Sequence, residues 1–128
     1  MTNATYDTRF FVEHFYSDEP RIVERTRQEV RHERDKSISS VVIHEVYRLT
    51  LQKEGRDVAS LRVGLMAQDF KVVPVNKEIA VASAELRQNY ALPMADSMVA
   101  ATSMILKSVC VSDDPHLQKV REIRTRWI

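Results

Sequence analysis

The chain has 128 residues, of which 44% are hydrophobic, and its 19 basic and 18 acidic side chains give a formal net charge of +1. This length predicts a single domain spanning residues 1–128, and the balanced charge excludes a uniformly basic surface for nucleic acid. No apolar run is long enough to cross a membrane and no signal-like segment opens the chain, so we expect a cytoplasmic protein with no membrane association.

The first acid of interest follows a short predicted strand that ends near Tyr6, so Asp7 lies at the strand's carboxyl end. An aromatic-rich segment comes next. Residues 20–34 then form a predicted charged helix whose arginines alternate with glutamates, which favours a solvated face over an RNA contact. The serines of residues 36–40 break that helix and leave room for a very short strand.

A second acid lies on the predicted helix of residues 40–55, which has an apolar stripe at Val42, Val46 and Leu49. The 100° step per residue places Glu45 beside this stripe, so its carboxylate either faces inward or reaches the surface to pair with Arg48. His44 is predicted to lie on the opposite, exposed side.

The middle of the chain predicts two more helices separated by a short strand at FKVVPV. Residues 56–69 have helical spacing, and Asn76 precedes an amphipathic helix, KEIAVASAELRQNY. The predicted inward positions of that second helix are Ile79, Ala80, Ser83, Ala84 and Leu86.

The sequence LPMADSMVAATSMIL, residues 92–106, predicts an almost wholly apolar helix with one acid, Asp96, near its start. A carboxylate there is favoured by the positive end of the helix dipole, and Pro93 suits the beginning of a helix. Asp96 is therefore either a residue that complements the dipole or a metal ligand at the mouth of a cleft.

The last part of the chain predicts a strand at SVCVS, followed by Asp113 and Asp114 and a short helix at residues 115–120. The lone Cys110 lies in this apolar strand, which favours a small core residue over a reactive thiol. The sequence EIRTRWI predicts a final edge strand. Three arginines lie on or just before this strand: Arg121, Arg124 and Arg126. They line either a solvated edge, which is favoured, or a path for RNA or a partner.

Strands that alternate with helices predict an α/β fold, with a mostly parallel central sheet of about five short strands flanked by helices on both faces. The carboxyl ends of parallel strands meet at one edge, where such folds bind ligands. Acids from four parts of the chain are directed to this edge: Asp7, Glu45, Asp96 and the Asp113/Asp114 pair. Carboxylates that meet without histidine or cysteine ligands select Mg²⁺ or Mn²⁺, which suit phosphodiester hydrolysis.

The sequence also resembles the PIN-domain ribonucleases, and among them the VapC-type toxins of toxin–antitoxin pairs. The similarity covers nearly the whole chain and is carried by four motifs in order: YDT at residues 6–8, SISSVVIHEVYR at 37–48, LPMADSMVAAT at 92–102 and VSDDPHL at 111–117. Each motif is short. Their order and spacing together are specific.

The resemblance implies that Asp7, Glu45, Asp96 and Asp114 form the catalytic, metal-binding set. Thr8, Ser112 and Asp113 would support these ligands, with Asp113 also a candidate for the fourth acid itself. Two positions depart from the family pattern: Arg9 replaces a small polar residue and could either contact RNA phosphate or alter access to the metal, and Leu117 replaces an aromatic. We expect a turn or surface role for His116 rather than direct catalysis, because a metal ion itself lowers the pKa of water.

A metal-dependent endoribonuclease is therefore the leading hypothesis, with RNA as substrate, a small antitoxin as partner and a homodimer as assembly. A non-catalytic PIN-like module that binds RNA or protein is the first alternative. A phosphoacceptor receiver domain is the second, but a receiver needs its acid pair after the first strand and a phosphorylated aspartate in mid-chain, and this sequence has neither.

Overall fold

The computed structural model describes residues 3–128, and this part of the chain forms five strands and seven helices. The strands are β1 (Asn3–Tyr6), β2 (Asp35–Ser39), β3 (Lys71–Val73), β4 (Val109–Val111) and β5 (Thr125–Arg126). The helices are α1 (Thr8–Tyr16), α2 (Pro20–His32), α3 (Ser40–Glu54), α4 (Arg56–Asp69), α5 (Lys77–Tyr90), α6 (Met94–Leu106) and α7 (Pro115–Gln118).

All five strands lie in one sheet with the order β3-β2-β1-β4-β5, and each neighbouring pair is parallel. The register pairs Thr5 of β1 with Ser37 of β2 on one side and with Cys110 of β4 on the other. Chain order reverses direction across the sheet at β1 and β4, so their carboxyl ends flank the position where ligands bind in open α/β sheets.

The central strand β1 is covered on both faces, because Ala4, Thr5 and Tyr6 have no exposed surface. The Tyr6 ring packs edge-on against Phe10 of α1 and Phe70, with ring centroids 4.8 Å and 5.2 Å away. Since side chains alternate between faces along a strand, Thr5 points the other way, where its hydroxyl is 2.6 Å from that of Ser108. The predicted α/β sheet with helices on both faces is confirmed.

Helix α6 packs against α3, α5 and three strands, as its apolar sequence predicts. Six of its residues are buried, from Ser97 to Ser103. The helix is bracketed by two residues in the left-handed conformation, Ala91 before it and Lys107 after it, each with φ of 54°. Tertiary packing therefore fixes both the position and the ends of the helix that carries Asp96.

Several element boundaries and faces differ from the sequence-based expectations. The charged helix ends at His32 instead of residue 34, because Lys36 binds the carbonyls of Val30 and Glu33 and β2 begins at Asp35. The aromatic-rich segment, left unassigned, is α1.

The predicted inward face of α5 was too wide. Ile79, Ser83 and Leu86 are buried, whereas Ala80 and Ala84 are exposed. The buried residues recur every three or four positions, so α5 buries only one narrow stripe, and α6 is its principal neighbour.

Within residues 3–128, none of the helices combines the length and apolarity required to cross a membrane.

Candidate active site

The carboxyl ends of β1 and β4 bring together the first and last acidic motifs of the chain. Asp7 directly follows β1 and is only 3% exposed. Its carboxylate accepts a hydrogen bond of 2.7 Å from the Ser112 hydroxyl, which directly follows β4. The same hydroxyl accepts a bond of 3.0 Å from the backbone N–H of Asp114. Ser112 therefore links the Asp7 carboxylate to the turn that presents Asp114.

Asp96, Asp114 and His116 form a compact group in which one ligand atom from each lies within 4.8 Å of the others. Asp96 is in the first turn of α6. Asp114 precedes α7 and accepts a bond of 2.9 Å from the His116 backbone N–H. The Nδ1 atom of His116 lies 3.0 Å from Asp114 Oδ1 and 3.7 Å from Asp96 Oδ2. Three donor atoms suited to a metal ion thus converge between α6 and α7.

Glu45 faces the same edge from the second turn of α3. Its Oε1 accepts a hydrogen bond of 2.5 Å from the Thr8 hydroxyl, at the start of α1. Its charge contributes to raising the pKa of both Asp7 and Asp96. Of the two alternatives considered for Glu45, the inward orientation is the one observed, with Thr8 and not Arg48 as its hydrogen-bond partner.

Asp7, Glu45, Asp96 and Asp114 form the acidic cluster. Burial and mutual repulsion disfavour the ionisation of all four carboxylates. Burial raises the pKa of Asp7 to about 6, and the Asp114 and Glu45 charges add to this effect, while the Ser112 hydrogen bond opposes it. Burial, followed by the charges of Asp114 and Asp7, raises the pKa of Asp96 to about 7. Protons or a cation are therefore needed to compensate for the negative charge at neutral pH.

Asp114, which the resemblance favours as the fourth acid, and Asp113, the other candidate, have different surroundings. Asp113 binds Arg9, with Nε to Oδ1 at 3.0 Å and Nη2 to Oδ2 at 3.3 Å. Asp114 lies beside Asp96. Asp114 is also the N-cap of α7, where its side chain accepts a hydrogen bond from the His116 backbone N–H. Asp114 is therefore the member of the pair that joins the acidic cluster.

His116 is closer to the cluster than the sequence led us to expect. It is half-exposed, yet its ring contacts two carboxylates. The spacing of Asp114 and His116 across Pro115 is the signal that could have indicated this contact, since an aspartate at a helix start commonly binds the backbone two residues on.

The remaining residues singled out in the sequence are exposed, buried or paired within the fold. His44 is exposed and Cys110 is fully buried. Of the C-terminal basic residues, Arg121 and Arg124 are exposed, whereas Arg126 binds Glu29 and Glu33.

The donor set fits a divalent cation. Carboxylate oxygens from Asp7, Asp96, Asp114 and Glu45 are hard ligands, and the raised pKa values of Asp7 and Asp96 are those expected of a site built for positive charge. If Asp96 served only to complement the dipole of α6, there would be no reason for three further acids to lie nearby.

An acidic site at the reversal of strand order in a parallel α/β sheet defines the class of this protein, and comparison with known proteins gives the family. The PIN domain model matches residues 5–123. The chain therefore belongs to the PIN-domain family. A comparison with curated protein sequences found no match.

Solved structures with the same fold include chains from toxin–antitoxin complexes. A chain of the DNA-bound VapBC complex from Salmonella typhimurium is 16% identical, with a TM-score of 0.80 over 99% of this chain and 98% of that one. A chain of a toxin–antitoxin complex from Klebsiella pneumoniae is 19% identical, with a TM-score of 0.75 over 98% and 100%. VapC20 from Mycobacterium tuberculosis, a toxin that cleaves the sarcin-ricin loop, is 15% identical, with a TM-score of 0.76 over 95% and 99%.

These findings decide between the fold-level alternatives. A receiver domain would have the flavodoxin-like strand order 2-1-3-4-5, whereas this sheet has the order 3-2-1-4-5. The receiver hypothesis is wrong, and the predicted PIN-like fold is confirmed.

Proposed function

We propose that this protein is a metal-dependent endoribonuclease and the toxin of a toxin–antitoxin pair. The observation that carries the proposal is the group of Asp96, Asp114 and His116, whose ligand atoms lie within 4.8 Å of one another, together with the buried Asp7, which Ser112 links to the backbone of Asp114. Membership of the PIN-domain family supports it, as does the likeness to VapC20 and to chains of VapBC complexes.

Asp7, Asp96, Asp114 and Glu45 are the proposed metal ligands, and His116 lies beside two of them. All-carboxylate ligation favours Mg²⁺ or Mn²⁺. When bound, such an ion supplies a water of lowered pKa and neutralises charge that develops on phosphate oxygens. Within the chain, Ser112 holds the Asp7 carboxylate and Thr8 holds that of Glu45, so both acids keep their orientation.

The proposed partners follow from the same relatives. RNA is the substrate, by analogy with VapC20. A small antitoxin is the regulatory partner, since similar chains occur in antitoxin complexes, and a homodimer is the assembly that the family resemblance implies. The proposed setting is the cytoplasm, with residues 1–128 acting as one nuclease domain.

Cleavage of a labelled RNA by purified protein, with Mg²⁺, Mn²⁺ or chelator, tests this function. Asp96→Asn should lower the cleavage rate by about 1,000-fold, several kcal/mol of transition-state stabilisation, while the far-UV circular dichroism stays unchanged. Asp57→Asn is the matched control, because Asp57 also lies in the first turn of a helix, α4, but is exposed.

Equal cleavage by wild type and Asp96→Asn would contradict the proposal. Calorimetric titration with Mn²⁺ distinguishes the non-catalytic alternative. A folded protein that neither binds Mn²⁺ nor cleaves RNA would favour a binding module.

A further inference from the structure

Arg9 occupies the rim of the acidic cluster in a defined orientation. It lies in the first turn of α1, two residues after Asp7. Its Nε and Nη2 atoms face the two carboxylate oxygens of Asp113 at 3.0 Å and 3.3 Å, and Nη2 is also 3.4 Å from Glu13 Oε1. This paired contact fixes the plane of the guanidinium, as forked arginine–carboxylate contacts do.

Both ends of this contact are tied to the residues of the cluster. Arg9 follows Asp7 and Thr8, and Thr8 binds Glu45. Asp113 lies between Ser112, which binds Asp7, and Asp114, which lies beside Asp96. The segment that follows β1 and the segment that follows β4 carry Asp7 and Asp114, and the same two segments therefore position the guanidinium.

The contacts leave one edge of the guanidinium for a ligand. Asp113 and Glu13 engage Nε and Nη2, so the two N–H groups of Nη1 make none of these hydrogen bonds. The Arg9 side chain is 41% exposed, and that of Asp113 is 37% exposed. Solvent and a ligand can thus reach the arginine without its leaving Asp113.

A positively charged side chain held at this edge of the sheet would help to bind the RNA backbone. An RNA backbone carries one negative charge per phosphate, and the carboxylates of Asp7, Asp96, Asp114 and Glu45 repel it. A metal ion in the cluster offsets part of this repulsion. The Nη1 N–H groups beside the cluster would donate charge-assisted hydrogen bonds to a second phosphate and so help to orient the strand.

We propose that Arg9 binds a backbone phosphate of the RNA next to the one cleaved, and that Asp113 and Glu13 hold Arg9 in place. Asp113 is then a positioning residue for substrate binding and not a metal ligand. This inference rests on the proposed ribonuclease function and identifies how the same site holds its substrate.

Steady-state cleavage of a short single-stranded RNA at several salt concentrations tests the role of Arg9. Arg9→Ala should raise KM about 10- to 100-fold, because one charge-assisted contact is lost, while kcat changes less. The slope of log RNA affinity against log salt concentration should fall in magnitude by slightly less than one, as expected for the loss of one phosphate contact. Arg9→Lys should restore the salt dependence but only part of the affinity, since lysine keeps the charge without the forked geometry.

Asp113→Asn tests the positioning role. It should raise KM about 3- to 10-fold and leave Mn²⁺ affinity, measured by calorimetry, at the wild-type value. Asp114→Asn should instead weaken Mn²⁺ binding. Arg31→Ala, which removes an exposed arginine on α2, is the matched control for a loss of positive charge.

Unchanged KM and salt dependence in Arg9→Ala would overturn the proposal, as would an Asp113→Asn protein that loses Mn²⁺ affinity as Asp114→Asn does. RNA binding by fluorescence anisotropy, in chelator, separates this inference from the proposed function. If wild type binds RNA through Arg9 but does not cleave it, the nuclease proposal fails and the phosphate contact stands. If wild type cleaves RNA and Arg9→Ala matches it, only the role of Arg9 fails.

Discussion

Two groups of carboxylates in this molecule differ in how their charge is compensated. On α2, Glu29 accepts hydrogen bonds from Arg126 at 2.5 Å and from Tyr6 at 2.5 Å, and Glu33 lies 3.5 Å from Arg126. At the carboxyl ends of β1 and β4, Asp96 and Asp114 have the half-exposed His116 as their basic partner, and the buried Asp7 accepts a hydrogen bond from the neutral Ser112 hydroxyl.

The pKa values follow this difference. Burial would raise the pKa of Glu29, but the hydrogen bonds from Arg126 and Tyr6 outweigh burial and the pKa is lowered. Burial raises the pKa of Asp7 and Asp96 and no arginine reverses the shift. Carboxylates that pair within the fold serve stability, whereas carboxylates that the fold leaves uncompensated are poised to bind a cation. Two consecutive residues connect the groups: Tyr6 donates a hydrogen bond to Glu29, and Asp7 is one of the uncompensated acids.

The largest expected difference between the two groups is in the pH dependence of stability without metal. Because the folded-state pKa of Asp7 and Asp96 lies above the ordinary aspartate value of 3.8, the folded protein binds more protons than the unfolded chain. The resulting loss of stability is absent below pH 3.8, grows as pH rises through the folded-state values of about 6 and 7, and is complete above them.

Urea unfolding in chelator measures this loss, which should be on the order of 3 kcal/mol between pH 5 and pH 8. Asp96→Asn should flatten the profile and raise the free energy of unfolding at pH 8. Glu29→Gln, the control from the paired group, should lower it at pH 8, because a depressed pKa stabilises the fold above the unfolded-state value. A wild-type profile that rises from pH 5 to pH 8 would contradict this account.

Breaking the paired group should destabilise the fold without affecting the acidic cluster. Arg126→Met keeps much of the side-chain volume but leaves Tyr6 as the hydrogen-bond partner of the half-buried Glu29 within residues 3–128. The free energy of unfolding should fall by about 2 kcal/mol at pH 7. Mn²⁺ affinity, measured on the folded protein by calorimetry, should stay at the wild-type value. A parallel loss of Mn²⁺ affinity would show that the groups are coupled through Tyr6 and Asp7.

The contribution of His116 sharpens the comparison further, since its ring contacts both Asp96 and Asp114. If its imidazole is a ligand, His116→Ala should weaken Mn²⁺ binding about tenfold and Mg²⁺ binding less, because imidazole suits transition metals better than Mg²⁺. If it is not a ligand, the substitution should leave the affinity for both ions nearly unchanged. Calorimetric titrations of both ions at pH 8 distinguish these outcomes.

The smallest predicted effect concerns the hydroxyl that supports Asp7. Ser112→Ala removes a hydrogen bond that holds the pKa of Asp7 down, so this pKa should rise further above about 6. The free energy of unfolding at pH 8 should fall by about 1 kcal/mol. Carboxyl chemical shifts followed by NMR would measure the titration. Ser17→Ala, at the exposed junction of α1 and α2, controls for the loss of a serine that binds local backbone.

The sequence predicted the fold and the direction of the acids well, because both depend on local patterns. Alternating helices and strands indicated a parallel sheet, and strand ends placed Asp7 and Asp114 at one edge. The proximity of Asp96 needed family resemblance, since the helix period gives the face of a residue but not the distance between elements.

The contacts that the sequence did not predict join residues far apart in the chain or depend on a single turn. Arg9 and Asp113 are 104 positions apart, so no local pattern indicates their pairing. The turn after β4 separates Asp113 from Asp114, and spacing alone could not choose between them. Ala80 and Ala84 were misplaced because the exposure of a small residue depends on whether a neighbouring helix covers it.

The two left-handed residues that bracket α6 suggest where this protein could be engineered for heat resistance. Ala91 is exposed and has φ of 54° and ψ of 43°, a conformation that costs a residue with a Cβ roughly 1 kcal/mol. Ala91→Gly would relieve that cost while removing only a methyl group in solvent. The gain would come at the entry to the helix that holds Asp96, and it would require no change to any residue of the acidic cluster.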